Sequence, residues 1–199
     1  MDKQPTSSAT SPPRIFLIRH ARPLANKKGF FSASDAQQFI VDYDAAAVEE
    51  FILENEAIPF KEIRKVYCST LNRSQLTAKA IFGDGIEMVK DHSFREFERR
   101  IFSFPLLKLP VKLWLVSARL LWFLGFNSKD IETFKQARQR AKAGAVILAA
   151  EATENKVAVL VAHGLLNKFI ERELRKMGWQ LTLNGGRGFV SVNVLSREV

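Results

Sequence analysis

The 199-residue sequence has a single cysteine, Cys68. One thiol cannot form an internal disulfide and offers no thiolate cluster to a metal ion, which is typical of proteins from reducing compartments. We therefore expect a cytoplasmic location. Cys68 lies within an apolar run, so the sequence predicts a buried structural thiol.

Long apolar runs are also lacking, because no stretch of about eighteen residues is free of charge, as a membrane-spanning helix requires. Residues 1–13 are rich in Ser, Thr and Pro, and no apolar segment follows their one lysine. This composition predicts a disordered leader and not a signal peptide. Residues 14–199 are close to the size that one hydrophobic core serves, so we expect a soluble protein with a single domain.

Acidic residues are in the minority, with 21 Asp and Glu against 30 Lys and Arg, and the formal net charge is +9. Most of the excess falls in residues 95–142, where eleven bases and four acids give a net charge of +7. Such an excess favours an acidic partner: nucleic acid, an anionic membrane surface or a phosphorylated molecule. The sequence has no RNA-binding aromatic motif, zinc-finger spacing or uninterrupted basic run, so we do not expect nucleic acid.

Three short apolar segments predict strands: residues 15–18, 65–68 and 157–162. Each is followed by residues that can bind an anion: Arg19 and His20, then Arg73, then His163 with Gly164. Ligands of open α/β sheets collect at the carboxyl ends of the strands, so we expect these side chains in one crevice. Taken singly, each has an ordinary alternative: a polar turn, a solvated helix charge or a core histidine.

Spacing and propensity predict the remaining elements. Helices are expected over 44–56, with Asp44 as the cap, after Leu71, over 130–151 and over 165–177. Strands are expected over 86–89 and 188–195. Residues 24–34 are expected to form a loop. The core side is assigned to Val48, Phe51 and Ile52 in the first helix and to Phe134, Val146 and Leu148 in the third. With the apolar segment 106–126, the third helix forms a helical insertion at about 98–150. The predicted fold class is α/β: a three-layer α/β/α sandwich with a mostly parallel central sheet and a helical cap insertion.

The predicted crevice has a defined chemistry. The guanidinium groups of Arg19 and Arg73 and the imidazoles of His20 and His163 would make a pocket for a tetrahedral dianion. A guanidinium can bind two phosphate oxygens at once, and it keeps its charge. Fixed cations aimed at the three equatorial oxygens of a phosphoryl group stabilise the transition state of its transfer. The sequence therefore predicts phosphoryl chemistry with no metal ion and no other cofactor.

Four short motifs follow one another along the chain: Arg19-His20-Ala21, the run STLNRSQLTA from Ser69 to Ala78, Phe94-Arg95-Glu96, and His163-Gly164. Together they resemble the RHG, S-x-L-x-R-A-x-Q-T-A, L-x-E and second-histidine motifs of the histidine phosphatase superfamily, which includes the cofactor-dependent phosphoglycerate mutases. The resemblance covers nearly all of residues 14–195. It implies a histidine acid phosphatase-type phosphomonoesterase.

The resemblance also implies roles for the strand-end residues. His20 would be the nucleophile, which attacks phosphorus in line and gives a phosphohistidine. Arg19, Arg73 and His163 would hold the equatorial oxygens. A helix begins directly after His163, so the backbone N–H groups near Gly164 would face the bound anion.

By the same resemblance, Glu96 would protonate the departing alkoxide and then deprotonate the attacking water. Glu98 lies two residues away and is the alternative for this role. Ala21 stands where the family usually has Gly, which requires a negative φ there. Arg22-Pro23 replaces the Glu-Ser of the mutases, and this argues against a mutase.

We therefore expect hydrolysis of a phosphomonoester, with phosphoglycerate-mutase-like transfer and a non-catalytic phosphate-binding scaffold as alternatives. The substrate would be a phosphorylated small molecule or a phosphoprotein. Segment 106–126 matches no family element, so it could be a lid over the site, a dimer surface or a basic amphipathic segment on anionic lipid.

Overall fold

Residues 11–53, 55–126 and 128–198 are described by a computed structural model, so ten of the thirteen residues of the expected leader lie outside it. The strands are β1 Arg14–Arg19, β2 Phe30–Phe31, β3 Lys65–Ser69, β4 Glu87–Asp91, β5 Leu109–Pro110, β6 Val157–Ala162, β7 Gln180–Asn184 and β8 Val192–Ser196. The helices are α1 Ala33–Ala45, α2 Asn72–Phe82, α3 Val111–Phe123, α4 Phe134–Asn155 and α5 Gly164–Lys176, with a 3₁₀ turn at His92–Phe94.

Six strands form one sheet in the order β4-β3-β6-β1-β8-β7. The first four are parallel to one another, while β8 runs antiparallel to both β1 and β7. All six residues of β6 are buried, as expected for a central strand covered on both faces. The strands predicted at 15–18, 65–68 and 157–162 are confirmed.

Helices cover both faces of the sheet. On one face, α4 and α5 pack over alternate residues such as Leu17 and Leu160, and α4 presents a row of buried small residues, Ala137, Ala141, Ala145 and Ala152. On the other face, Phe16, Ile18 and Val159 pack with residues of α2. This is the predicted α/β/α arrangement. The carboxyl half of the expected insertion, α4, belongs to the layer on the sheet.

A separate apolar cluster joins α1 to α3 and forms a cap. Ala36 of α1 packs with Trp114 and Ala118 of α3 and with Ile101. The indole N–H of Trp114 donates to the carbonyl oxygen of Phe31, 2.8 Å away, in the two-stranded ribbon of β2 and β5. Because α1 also contacts α2, the cap stands next to the end of the sheet from which α2 starts.

The helix expected over 44–56 is wrong. The helix lies earlier, at Ala33–Ala45, because Ser32 and Asp35 form a reciprocal capping box at its start. The following residues are extended and pair with the chain after β1, through a bridge between Pro23 and Val48. Tertiary pairing thus overrides the helix propensity of this Ala- and Glu-rich run. Ile52, expected to face the core, is exposed.

Smaller differences concern element ends. The loop expected over 24–34 contains β2 and the start of α1, and the strand expected at 86–89 lies at Glu87–Asp91. The helix expected to begin at Asp130 begins at Phe134, after a second capping box at Thr133, and Val146 faces solvent while Leu148 is buried. The last strand begins only at Val192, and sequence reasoning missed β7.

Candidate active site

The register between β1 and β6 brings the two histidines together. Arg19 pairs with Ala162, so the next residue of each strand, His20 and His163, emerges at the same edge. The ring centroids of the two histidines are 5.0 Å apart, edge to face. The backbone N–H of His20 donates to the Ala162 carbonyl oxygen, 2.9 Å away, and fixes this juxtaposition.

Arg73 reaches the histidines from the first turn of α2. Its side chain is buried, and its Nε lies 3.3 Å from Nε2 of His20. Thr77, one turn further along, accepts a hydrogen bond from the backbone N–H of Ala21 and donates to the carbonyl oxygen of Arg73. The helix that carries Arg73 is thereby tied to the loop that carries His20. Ala21 does not have a positive φ, so the expected tolerance of Ala is confirmed.

The hydrogen bonds of His20 define its tautomer. Nδ1 lies 2.7 Å from the carbonyl oxygen of Ala21, which can only accept, so Nδ1 carries the proton. The guanidinium of Arg73 can only donate, so Nε2 presents a lone pair. Burial, with the positive charge of Arg73, lowers the pKa of His20 to about 3. His20 is therefore a neutral imidazole whose basic nitrogen faces the crevice.

His163 is fully buried, and neither ring nitrogen has a hydrogen-bond partner among the described residues. Burial and the nearby charge of Arg73 hold its pKa well below the ordinary value. Most buried polar groups in proteins are hydrogen-bonded, and an unpaired one costs free energy. An oxyanion in the crevice would satisfy an N–H of this ring.

Arg19 is held between a ring and a glycine. Its guanidinium carbon lies 4.2 Å from the ring centre of Phe189, and a guanidinium N–H donates to the carbonyl oxygen of Arg187. A Cβ on Gly164 would lie 3.1 Å from Nε of Arg19, so the absence of a side chain lets the guanidinium lie against the start of α5. Nε itself has no partner within the described chain.

Two residues that sequence reasoning missed hold Arg73. The carboxylate of Asp44, at the end of α1, accepts from Nη1 of Arg73 at 2.6 Å, and the guanidinium lies 5.0 Å from the ring centre of Tyr43. Asp44 was interpreted as a helix cap, and no local signal marks it as a partner of a residue 29 positions away. Phe189 is a further such residue, because the sequence predicts a strand over its segment.

The crevice opens into a pocket of about 250 Å³ between the sheet edge and the cap. Its walls include both arginines of the site, the basic residues Lys27, Arg95 and Arg99, and the apolar side chains Phe39, Ile40, Leu115 and Phe189. Partial desolvation and the positive charges of Arg22 and Lys112 lower the pKa of Lys27. The lining of the pocket thus includes both basic side chains and apolar side chains.

Both candidate acids line this pocket, and their contacts differ. Oε1 of Glu96 accepts from the N–H of Phe97, its own neighbour. Oε2 of Glu98 accepts from the backbone N–H of Glu132 at 3.3 Å, just before α4. Glu98 therefore connects two segments of the chain, while the hydrogen bond of Glu96 among the described residues is local. His92, the third histidine, is exposed.

The described residues contain no group of three or more His, Cys, Asp or Glu side chains placed to hold a metal ion. Cys68 is buried, and burial raises the pKa of its thiol to about 11. The interpretation of Cys68 as a buried thiol is confirmed.

The fold and the crevice describe an α/β protein that gathers fixed cations at the carboxyl ends of its strands. The family model of the histidine phosphatase superfamily (branch 1) matches residues 15–198, and the chain belongs to that family. A search among curated proteins finds no match.

Solved structures with the same fold come from several bacteria. A phosphoglycerate mutase from Bacillus anthracis aligns with a TM-score of 0.53 and 16% identity, over 93% of this chain and 88% of that one. An open reading frame product from Mycobacterium tuberculosis aligns with a TM-score of 0.52 and 14% identity, over 94% and 92%. A mycobacterial hydrolase aligns with a TM-score of 0.50 and 18% identity, over 94% and 92%. At these identities the likeness establishes the fold.

The contact between Gly164 and Arg19 generates a prediction. Gly164→Ala should displace the guanidinium by a few tenths of an ångström and weaken binding of orthovanadate, a tetrahedral anion, by roughly tenfold, since small misplacements of binding groups are costly. Gly85→Ala is the matched control, because nothing lies within 4 Å of a Cβ there. Equal dissociation constants for orthovanadate in both variants, with unchanged unfolding midpoints, would contradict the assigned contact.

The two neutral histidines generate a second prediction. Because their folded-state pKa values lie below 6.5, the unfolded chain binds more protons at acidic pH, so stability falls as the pH drops below about 6.5. Urea unfolding followed by tryptophan fluorescence should show a smaller loss between pH 7.5 and 5.0 for His163→Gln than for wild type. The difference should approach about 2 kcal/mol, one proton over about 1.5 pH units. Parallel pH dependences would show that the pKa of His163 is the same in the folded and the unfolded chain, which would contradict the prediction.

Proposed function

We propose that this protein hydrolyses a phosphomonoester through a phosphohistidine formed on Nε2 of His20, without a metal ion. The observation that carries the proposal is the protonation state of His20. Its proton is held at Nδ1 by the Ala21 carbonyl oxygen, while Nε2 keeps its lone pair at neutral pH. A nucleophilic imidazole must be neutral at the attacking nitrogen, and here the ring also lies beside the guanidinium of Arg73 and the imidazole of His163.

In the first step, the phosphoryl group displaces the hydrogen bond between Arg73 and Nε2. The lone pair of Nε2 attacks phosphorus, the bond to the ester oxygen breaks, and Glu96 in its acid form gives its proton to the leaving oxygen. Arg19, Arg73 and an N–H of His163 bind the equatorial oxygens, where charge accumulates. Asp44 keeps the fork of Arg73 oriented in the free protein, so less reorganisation is needed on binding.

In the second step, the Glu96 carboxylate takes a proton from water, and the resulting hydroxide attacks phosphorus. The bond between phosphorus and Nε2 breaks, and neutral His20 is restored with inorganic phosphate as the product. A well-placed acid and base of this kind contributes roughly 10²–10⁴-fold to the rate. Glu96 is the better candidate because Glu98 already accepts the N–H of Glu132.

The size and the lining of the pocket favour a small phosphorylated molecule as the substrate. Its volume of about 250 Å³ suits a compact molecule. Its basic residues Lys27, Arg95 and Arg99 offer positive charge in addition to that of the two arginines that would bind the phosphoryl group. The apolar wall of Phe39, Ile40 and Leu115 would contact an uncharged part of the substrate. A small ester with a second anionic group fits these walls.

Hydrolysis through His20 is tested with a panel of phosphate esters. His20→Ala should lower vanadate-sensitive phosphate release by at least about 10³-fold, because no other nucleophile replaces the imidazole. A ³²P-labelled ester quenched in base should label wild type and not the variant. His92→Ala is the matched control, since His92 is exposed and does not line the pocket.

The same panel separates the alternatives. If most of the labelled phosphoryl group is transferred to a second hydroxyl of the substrate and little free phosphate appears, the protein catalyses mutase-like transfer and not hydrolysis. Phosphate-ester binding without label on the protein and without turnover would make the chain a non-catalytic binding protein.

The role of Glu96 as the general acid is tested with esters whose leaving groups differ in their need for a proton. Glu96→Gln should lower hydrolysis of alkyl phosphates by about 10²-fold or more and that of nitrophenyl phosphate far less, because a good leaving group needs no proton. Glu98→Gln is the comparison, and its effect should be similar for both esters. A leaving-group dependence that appears in Glu98→Gln instead would move the role to Glu98.

A further inference from the structure

Helix α3 is apolar on two opposite faces. Its inner face packs into the cap through Val111, Trp114, Ala118 and Trp122, all of which are buried. The outer face is formed by Leu113, Val116, Leu120 and Leu124, which are 53–68% exposed. At 3.6 residues per turn these four residues fall within a stripe of about 80°. The inner face accounts for the packing of α3 on the domain, and the outer face has no such partner among the described residues.

The outer face continues into the segments at both ends of α3. Leu106 and Phe104 before the helix and Phe126 after it are more than half exposed. Single exposed apolar residues are ordinary, but a row of them along one helix marks a contact surface. The surface considered below consists of the outer face of α3 with these three residues.

The segment that carries this surface has charges of one sign. Residues 103–129 contain no Asp or Glu, and their four basic residues are Lys108, Lys112, Arg119 and Lys129. Arg119 turns inward and donates to the carbonyl oxygens of Phe97 and Glu98, while the three lysines are exposed. The surface therefore combines apolar side chains with lysines and has no acid of its own.

We propose that this surface binds the protein peripherally to an anionic lipid bilayer. A helix with exposed leucines and a lysine border lies in the plane of a membrane, with its apolar side in the acyl boundary and its lysines at the anionic headgroups. Helix α3 has 13 residues, about 20 Å in length, which suits this orientation. No helix of the described residues is long and apolar enough to cross a membrane.

The charge pattern favours lipid over a second copy of the chain. In a twofold dimer the same surface would face itself, so the lysines of both copies would come together without an acid in either segment to compensate. An anionic bilayer gives the lysines a partner of opposite charge. Long-range attraction would bring the surface to the membrane, and the leucines would hold it there.

Helix α3 contributes to the pocket as well as to this surface. Leu115, on the same helix, lines the pocket, and the charge of Lys112 acts on Lys27 in the pocket wall. Membrane attachment does not depend on the proposed hydrolysis, because the residues of the surface lie outside the strand-end crevice.

The test measures flotation of the full-length chain with lipid vesicles. Wild type should bind vesicles of phosphatidylcholine mixed with phosphatidylserine and should not bind phosphatidylcholine alone. Raising the salt from about 0.1 M to about 0.5 M should weaken binding, because the Debye length shortens. Leu113→Glu combined with Leu120→Glu should reduce binding at least about tenfold, and Lys108→Gln combined with Lys129→Gln should reduce it by a similar factor.

Ile52→Glu combined with Val146→Glu is the matched control, since both residues are exposed apolar side chains outside the surface. This variant should float like wild type, and all variants should keep the circular dichroism spectrum and unfolding midpoint of wild type. Absence of wild-type binding, equal binding to neutral vesicles, or unaffected binding of the leucine variant would overturn the proposal. A wild-type dimer that the leucine variant converts to a monomer, without vesicle binding, would assign the surface to a second copy.

Discussion

The hydrogen bond from Nδ1 of His20 to the carbonyl oxygen of Ala21 decides the tautomer around which the crevice is arranged. Without it the imidazole could expose either tautomer. With it the proton stays on Nδ1, while burial and the charge of Arg73 lower the pKa of His20, so the ring is neutral and Nε2 presents a lone pair. The neighbouring supports serve this geometry, because Thr77 ties the backbone of Ala21 to the helix that carries Arg73.

The central residues of the site could be predicted from the sequence because they follow parallel strands. The predicted strand ends carry Arg19, His20 and His163, and sheet pairing then necessarily brings them to one edge. The partners of these residues could not be predicted in the same way. Asp44 and Phe189 reach the site from the end of α1 and from a loop before β8, through contacts that no local pattern records.

The same distinction applies to the fold. The bounds predicted for the strand at residues 157–162 agree with those of β6, because a short, uniformly apolar run is typical of a buried central strand. The helix at 44–56 was misplaced, since the capping box at Ser32 and Asp35 starts the helix earlier and the bridge to Pro23 holds the next segment extended. The final strand begins at Val192 and not at residue 188, because Val190 takes a positive φ that the alternation of apolar residues cannot reveal. Local capping signals were present in the sequence, whereas the tertiary pairing was not.

Several buried nitrogens of the site have no hydrogen-bond partner among the described residues, and this supports the anion binding proposed above. Among the described residues Arg73 has a carboxylate partner in Asp44, but no carboxylate forms an ion pair with Arg19. Nε of Arg19 and both nitrogens of His163 are buried without hydrogen bonds. A buried donor without a partner costs free energy in a fold, and a tetrahedral anion of the proposed kind would give these donors an acceptor. The free energy that the fold loses at these positions would then be regained when the proposed ligand binds.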